Sequence, residues 1–146
     1  MQCLIQRVRR ASVTVAGETI AAIEHGLLAF VGIDADDTDA VAEQCSHKLL
    51  HYRVFADAAG RMNRNVMAVE GGVLLVSQFT LSADTNSGLR PSFSRAAPPE
   101  QARACFDHLV RTTQQRYARV ETGQFAADMQ VELINDGPVT FLFALP

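Results

Sequence analysis

The sequence contains no apolar run that approaches the roughly 18 residues needed to cross a membrane. Its first residues, Met1-Gln2-Cys3-Leu4, also lack the basic-then-apolar layout of a signal peptide and run directly into a strand pattern. These two absences argue against a membrane protein and a secreted one. We therefore expect a cytoplasmic protein that makes no membrane contact.

Metal ligands in a recognisable pattern are absent as well. Cys3, Cys45 and Cys105 are far apart, odd in number and outside any metal-binding spacing, so we expect buried free thiols. His47 and His51 are four residues apart on a predicted helix and share one face, but no third ligand accompanies them. The sequence therefore predicts neither a metal ion nor another cofactor.

Lysine is scarce, because twelve of the thirteen basic residues are arginine. The net charge is −3 and the pI is about 5.7, which argues against a broad nucleic-acid-binding face. A small contact stays compatible with this charge, because a protein that grips only the end of an RNA needs few phosphate contacts. Arginine also suits bidentate phosphate contacts better than lysine does.

The chain of 146 residues is long enough for one hydrophobic core, and we expect a single domain over residues 1–146. Period-2 and continuous apolar patterns predict strands at 2–9, 11–15, 18–22, 26–33, 53–55, 129–134 and 139–145. Helical spacing predicts two helices, one after the acidic turn at 34–39 and one from Pro98. Strands with two helices inserted at separate points indicate the α+β class.

The stretch from Gly71 to Leu81 contains a buried strand that ends in polar residues. Val73–Val76 is the apolar part, and the polar residues Ser77, Gln78 and Thr80 follow it. If the strand stays regular, Gln78 and Thr80 share one face while Ser77 and Phe79 share the other. Buried polar side chains need partners or a ligand, so either the hydroxyls bond the neighbouring backbone or the strand end forms a site.

A second stretch, Asn135-Asp136-Gly137-Pro138-Val139-Thr140, lies between two apolar runs near the C-terminus. Together the two stretches resemble the D-aminoacyl-tRNA deacylases, editing hydrolases that remove D-amino acids from tRNA. That family carries a Ser-Gln-Phe-Thr-Leu strand end and an Asn-x-Gly-Pro-Val-Thr turn, which stand here as 77–81 and 135–140. The resemblance covers the whole chain, because it continues through residues 4–8, 11–15, 88–93 and 122–129.

The resemblance implies a β-barrel-like roll of mostly antiparallel strands with two packed helices. It also implies a homodimer that binds the 3′ aminoacyl end of tRNA in active sites at the subunit interface. D-aminoacyl-tRNA, and glycyl-tRNA to some degree, would be hydrolysed to free tRNA and amino acid. The L isomer would be rejected by a Gly137-cis-Pro138 pair that reaches into the partner subunit's pocket.

Without the resemblance, Asp136-Gly137 is compatible with a plain hairpin turn followed by Pro138 as the first residue of a strand. Only about one X-Pro bond in twenty is cis in folded proteins, so general rates favour that simpler structure. The resemblance further suggests that Arg7 holds the Gly137-Pro138 loop, where a surface ion pair is the ordinary alternative. It places Phe125 and Met129 near the wall that receives the terminal adenosine or the aminoacyl group.

The candidate catalytic residues are Thr80, Gln78, Ser77 and Phe79. Thr80 is the obvious nucleophile, yet no sequence feature supplies a base to activate it. In the alternative mechanism, the ribose hydroxyl beside the ester positions a water, and the protein provides geometry and backbone N–H donors. The sequence leaves both mechanisms open.

Two other functions also stay open at this point. One is a hydrolase of small esters or amides that uses Thr80 as its nucleophile and needs no RNA. The other is a non-catalytic module that binds an RNA end or a peptide and never turns it over.

Overall fold

The computed structural model describes residues 1–146 as eight strands, two helices and a 3₁₀ turn. The strands are β1 (Gln2–Val15), β2 (Glu18–Ile23), β3 (Gly26–Gly32), β4 (Phe55–Ala56), β5 (Met62–Arg64), β6 (Gly72–Ser77), β7 (Val120–Thr122) and β8 (Met129–Ala144). The helices are α1 (Asp39–His51) and α2 (Pro99–Arg116), and the 3₁₀ turn spans Phe79–Ser82. Neither helix is both long and apolar enough to span a bilayer.

Six of the strands form one mixed sheet. Its order is β2-β1-β3-β6-β7, and β8 pairs with β1, which is antiparallel to β2, β3 and β8. The pairs β3–β6 and β6–β7 are parallel, because α1 lies in the connection before β6 and α2 in the connection before β7. The predicted α+β roll with two helices is confirmed, and parallel pairing at its centre is the added feature.

Both ends of the chain form longer strands than the sequence predicts. The break expected near Arg9 and Arg10 does not occur, because β1 continues through it with register shifts between Gln6 and Val8 and between Val8 and Arg10. The two C-terminal strands expected on either side of Gly137-Pro138 are one strand, β8, that runs along β1. The plain hairpin at Asp136-Gly137 is therefore wrong.

The apolar residues form two cores on opposite faces of the sheet. Alternation along β3 directs Leu27, Ala29 and Val31 into the larger core, which also contains the buried faces of α1 and α2. Leu28 and its neighbours Leu74 and Val76 belong to a smaller core, which the distal halves of β1 and β8 cover. The roll thus encloses one core and packs its two helices over the other.

The three cysteines are buried free thiols, as the sequence predicts. Burial, followed by the charges of Asp37 and Asp39, raises the pKa of the Cys105 thiol to about 11. A hydrogen bond with Cys45, together with burial, raises the pKa of Cys3 well above its ordinary value. His47 and His51 stack at 4.2 Å between ring centroids on α1.

Candidate active site

A cavity of about 530 Å³ lies at the carboxyl ends of β3 and β6, beside the start of α2. Thirteen of its seventeen lining residues are hydrophobic. Five of the nine site residues predicted from the sequence lie in its wall: Ser77, Gln78, Phe79, Phe125 and Met129. Two segments distant in the sequence therefore meet around one apolar pocket, as expected for a small-molecule or nucleotide-end site.

The polar end of the pocket forms where β6 ends. Ser77 is the last residue paired with β3, opposite Val31, and its hydroxyl makes no hydrogen bond within the chain. The chain then enters the 3₁₀ turn, so the regular strand assumed through Thr80 is wrong. Thr80 is exposed and outside the pocket wall, and its hydroxyl oxygen accepts a hydrogen bond from the Gln78 side-chain amide. The Thr80 hydroxyl is thus hydrogen-bonded to a neighbouring side chain and not to the neighbouring backbone.

The opposite wall comes from the loop between β7 and β8. Ala126 has a φ of +63°, and it turns the chain between Phe125 and the start of β8. Phe125 packs on Phe106 of α2, with ring centroids 6.2 Å apart. A Cβ on Gly123 would approach the Met129 sulfur to 2.8 Å, so the glycine leaves room for that side chain. Asp128 provides the one charged side chain in the wall.

Within β8, residues 136–139 are unpaired between the partners Val8–Asn135 and Gln6–Thr140, and this stretch, the Gly137-Pro138 loop, is held by side-chain hydrogen bonds. The Gly137–Pro138 peptide bond is cis, and Gly137 has a φ of +149°. The Asn135 side chain accepts from Val139 N at 2.8 Å and donates to the Thr140 hydroxyl at 3.0 Å. The loop therefore has a defined shape, although Gly137 and Pro138 are both exposed.

Arg7 fastens this loop from the neighbouring strand. Its Nε donates to the Asp136 carbonyl oxygen at 2.8 Å, and its Nη1 donates to Val54 O at 2.7 Å. The carboxylate of Asp136 is farther away, at 3.8 Å from Nε. The main contacts of Arg7 are thus to backbone carbonyls, and a simple surface ion pair does not describe them.

Within one chain, the Gly137-Pro138 loop does not line the apolar pocket. Arg7 and Asp136 line a separate cavity of about 470 Å³, together with His25 and Phe55. Three strand spacings and about four residues separate Gly137 from Ser77, which amounts to roughly 20 Å measured along the sheet. Gly137, Pro138 and Arg7 therefore form a second cluster, distinct from the pocket residues of the same chain.

Sequence reasoning missed three contributors to these two clusters. The Asn135 side chain holds the loop by accepting a hydrogen bond from Val139 N. An asparagine shortly before a Gly-Pro turn is a recognisable signal for such a side-chain to backbone hydrogen bond. Asp128 lies in the 122–129 motif and lines the pocket, but a pattern of residues does not show which face of a loop lines a cavity. Arg103 belongs to no recognisable motif; it is exposed on α2, and it stacks on Phe125 with 4.7 Å from Cζ to the ring centroid.

The fold and the pocket define a class of protein before any comparison is made. A mixed-sheet roll presents an apolar pocket that ends in a free hydroxyl, an amide and the first N–H groups of a helical turn. The first N–H groups of such a turn have no acceptor within it, so they are available to a developing oxyanion. An apolar pocket with such groups at one end is of the kind that the class of ester hydrolases uses.

Comparison with known proteins narrows the class to a family. The family described as D-Tyr-tRNA(Tyr) deacylase matches residues 4–144 of this chain. A D-aminoacyl-tRNA deacylase of Pseudomonas aeruginosa strain LESB58 is 57% identical over 142 residues, which are 97% of this chain and 98% of that protein. The one from Ectopseudomonas mendocina is 59% identical over the same shares of both chains. The chain belongs to the D-Tyr-tRNA(Tyr) deacylase family and is a hydrolase.

Solved structures share the fold of this chain. The structure of the c-Myc DNA unwinding element binding protein is 40% identical, with a TM-score of 0.96 over 100% of this chain and 99% of that one. A probable eukaryotic D-amino acid tRNA deacylase has a TM-score of 0.87 at 15% identity, over 97% of both chains. The second similarity shows that the fold persists when most of the sequence has changed.

Proposed function

We propose that this chain hydrolyses the ester bond of D-aminoacyl-tRNA in the cytoplasm and releases free tRNA and the D-amino acid. The observation that carries the proposal is the pocket in which the Ser77–Phe79 strand end meets Phe125 and Met129, in a chain that the deacylase family matches from 4 to 144. The apolar wall suits a terminal nucleoside, and the polar end suits the ester.

The proposed enzyme is a homodimer in which each pocket is completed by the partner subunit. The roughly 20 Å between Gly137 and Ser77 within one chain supports this, because the two clusters then meet only between chains. A row of side chains across the sheet, Leu142, Leu4, Phe30 and Val76, runs from the exposed β8 edge into the pocket wall. Leu142 at its outer end is 59% exposed, and a contiguous apolar row that ends in an exposed leucine favours a covering partner.

Selection against the L isomer is assigned to main-chain atoms of Gly137 and Pro138. The Arg7 and Asn135 hydrogen bonds support this, because they fix the main chain around Gly137 and Pro138 while both residues stay exposed. Its carbonyl oxygens accept hydrogen bonds from the substrate's α-ammonium and stand where an L side chain would project. A D side chain points towards solvent, so selection is general across D-amino acids, and glycine is not rejected.

For the chemical step, attack by a water positioned by the ribose 2′-hydroxyl is favoured over attack by Thr80. Thr80 lies outside the pocket wall, and its one side-chain hydrogen bond is to the Gln78 amide, which cannot act as a base. The proposed donors to the oxyanion are the N–H groups of Phe79 and Thr80 at the start of the 3₁₀ turn. The step needs no metal ion or other cofactor.

The test is to incubate the purified protein with D-tyrosyl-tRNA, L-tyrosyl-tRNA and glycyl-tRNA and to follow release of the amino acid. The expected result is hydrolysis of the D and glycyl substrates, with the L substrate left at the rate of the uncatalysed reaction. Comparable cleavage of a simple D-tyrosine ester would favour a small-ester hydrolase that needs no RNA. Binding of all three without turnover would favour a non-catalytic RNA-end-binding module.

A further inference from the structure

An arginine that the proposed reaction does not yet use lies beside the apolar pocket without lining it, and we call this position the rim. Arg103 lies on α2, one residue after Ala102, which lines the pocket. Its guanidinium carbon is 4.7 Å from the centroid of Phe125, another residue of the wall. The charge is therefore placed over the outer side of a pocket wall, where it faces solvent.

Arg103 is also free of acidic partners. Other arginines are paired with carboxylates, as Arg10 is with Glu132 at 3.2 Å and Arg95 is with Asp34 at 3.6 Å. No carboxylate lies within 4.0 Å of the Arg103 guanidinium nitrogens. Stacking on an aromatic ring restricts the guanidinium without neutralising it, so less conformational entropy is lost when an anion binds.

The pocket offers no cation of its own to an anionic ligand. Its one charged wall residue is Asp128, and the chain carries a net charge of −3. A terminal nucleoside held in this pocket has a phosphate on its 5′ side, which must stay outside the apolar wall because a bare phosphate is costly to bury. A cation at the rim is what such a phosphate requires.

We propose that Arg103 binds the phosphate that links the terminal nucleoside to the preceding nucleotide of the RNA. This inference rests on the proposed function, because it assumes that the pocket receives the 3′ end of a tRNA. Arg103 contributes to binding the RNA end and takes no part in ester cleavage. It gives the enzyme one means of distinguishing an RNA end from a free nucleoside ester.

The experiment compares Arg103→Ala with the parent on D-tyrosyl-tRNA and on 3′-O-D-tyrosyladenosine, which has no phosphate. Arg111→Ala is the matched control, because Arg111 is an exposed arginine on the same helix and has no ion pair or hydrogen bond. For Arg103→Ala we expect kcat/KM on the tRNA to fall about tenfold through KM, and the logarithmic salt slope to decrease by about 1. The adenosine ester should be cleaved equally by all three proteins, and Arg103→Lys should retain most of the activity on tRNA.

Two outcomes would overturn the inference. Equal loss on both substrates would show that Arg103 acts by packing on Phe125, and no loss on tRNA would show that it contacts no phosphate. If the parent fails to cleave D-tyrosyl-tRNA at all, the proposed function fails separately. Filter binding of uncharged tRNA then still tests the phosphate contact, since Arg103→Ala must weaken it about tenfold and Arg111→Ala must not.

Discussion

Individual residues in this protein act mainly by fixing the positions of backbone atoms. Asn135 and Arg7 direct their polar groups to main-chain N–H and C=O groups around Gly137. At Gly137 itself the absence of a side chain matters, because a Cβ there would come within 2.5 Å of Val139 Cγ2, 2.8 Å of Val139 N and 3.3 Å of Arg7 Nη2. The shape of the loop therefore depends on the side chains of Asn135 and Arg7 and on the absence of a side chain at Gly137.

Replacing Gly137 by alanine should lower the free energy of unfolding by more than a positive φ alone would. Gly17 is the control, because it also has a positive φ, +82°, but a Cβ there would meet nothing within 4 Å. We expect Gly17→Ala to cost about 1 kcal/mol of unfolding free energy from the unfavourable φ, and Gly137→Ala to cost at least about 1–2 kcal/mol more from overlap. Urea denaturation of both variants measures the difference.

The same pair of variants tests the role of the loop in the reaction. Gly137→Ala should lose most of its kcat/KM on D-tyrosyl-tRNA, whereas Gly17→Ala should keep the parent value. Activity that survives in a folded Gly137→Ala variant, with discrimination against L-tyrosyl-tRNA intact, would contradict the assignment of chiral selection to this loop.

Thr80 provides a residue-scale test of the chemical step. Because its hydroxyl has no base beside it, Thr80→Ala should keep substantial deacylase activity, within about tenfold of the parent. A substrate whose terminal ribose lacks the 2′-hydroxyl should be cleaved far more slowly by both proteins. A variant that binds tRNA normally but does not release the amino acid would instead make Thr80 the nucleophile.

At the scale of elements, local patterns predicted the two helices and the strands of the sheet centre. The apolar spacing of α2, with Pro99 in its first turn, requires no information from the rest of the chain. The continuity of β1 and β8 was not predictable in this way, because each strand continues through its interruption by pairing with a strand over a hundred residues away. The 3₁₀ turn after Ser77 was missed for the related reason that period-2 alternation does not show where pairing ends.

The buried thiol on α2 predicts how stability depends on alkaline pH. The pKa of Cys105 is raised from an ordinary value near 9 to about 11, so the folded protein keeps the thiol proton at a pH where the unfolded chain loses it. Stability is therefore unaffected by this group below about pH 9 and falls as the pH rises from 9 towards 11. At pH 10 the loss is on the order of 1 kcal/mol.

Urea unfolding of the parent and of Cys105→Ala at pH 8 and pH 10 measures this contribution. The alanine variant is less stable at pH 8 because it leaves a cavity in the larger core, but its disadvantage should shrink by about 1 kcal/mol at pH 10. Other groups, such as Tyr117, whose pKa burial also raises, affect both proteins equally and cancel in the comparison. Parallel stability curves for the two proteins would show that Cys105 does not titrate as described.

At the scale of the whole molecule, the separation between the apolar pocket and the Gly137-Pro138 loop indicates how a complete site would be assembled. The sequence motifs gave the residues of both clusters, and the resemblance placed them in one site. A single chain separates them by the width of three strand spacings, which no local pattern reveals. One chain therefore contributes a pocket at one position and a rigid loop at another, and the proposed site combines the two from different subunits.

This arrangement predicts that two inactive variants restore activity when combined. Gly137→Ala keeps the pocket but disturbs the loop, and Ala127→Trp keeps the loop but fills the pocket. In a mixed dimer, the intact pocket of one subunit receives the intact loop of the other, so one of its two sites is complete. With random pairing, half of the dimers are mixed, and each mixed dimer has one complete site out of two. About one quarter of all sites are then complete, so coexpression should restore about one quarter of the parent activity.

Differently tagged subunits allow the mixed dimer to be isolated and its deacylation of D-tyrosyl-tRNA to be measured directly. Two Gly137→Ala subunits, or two Ala127→Trp subunits, serve as controls for residual activity. A purified mixed dimer no more active than these controls would contradict a site built from two chains, because a pocket and a loop from different subunits would then be present without producing catalysis. Recovery would show that the loop acts on the neighbouring subunit's pocket, which explains why Gly137 and Pro138 are exposed in a single chain.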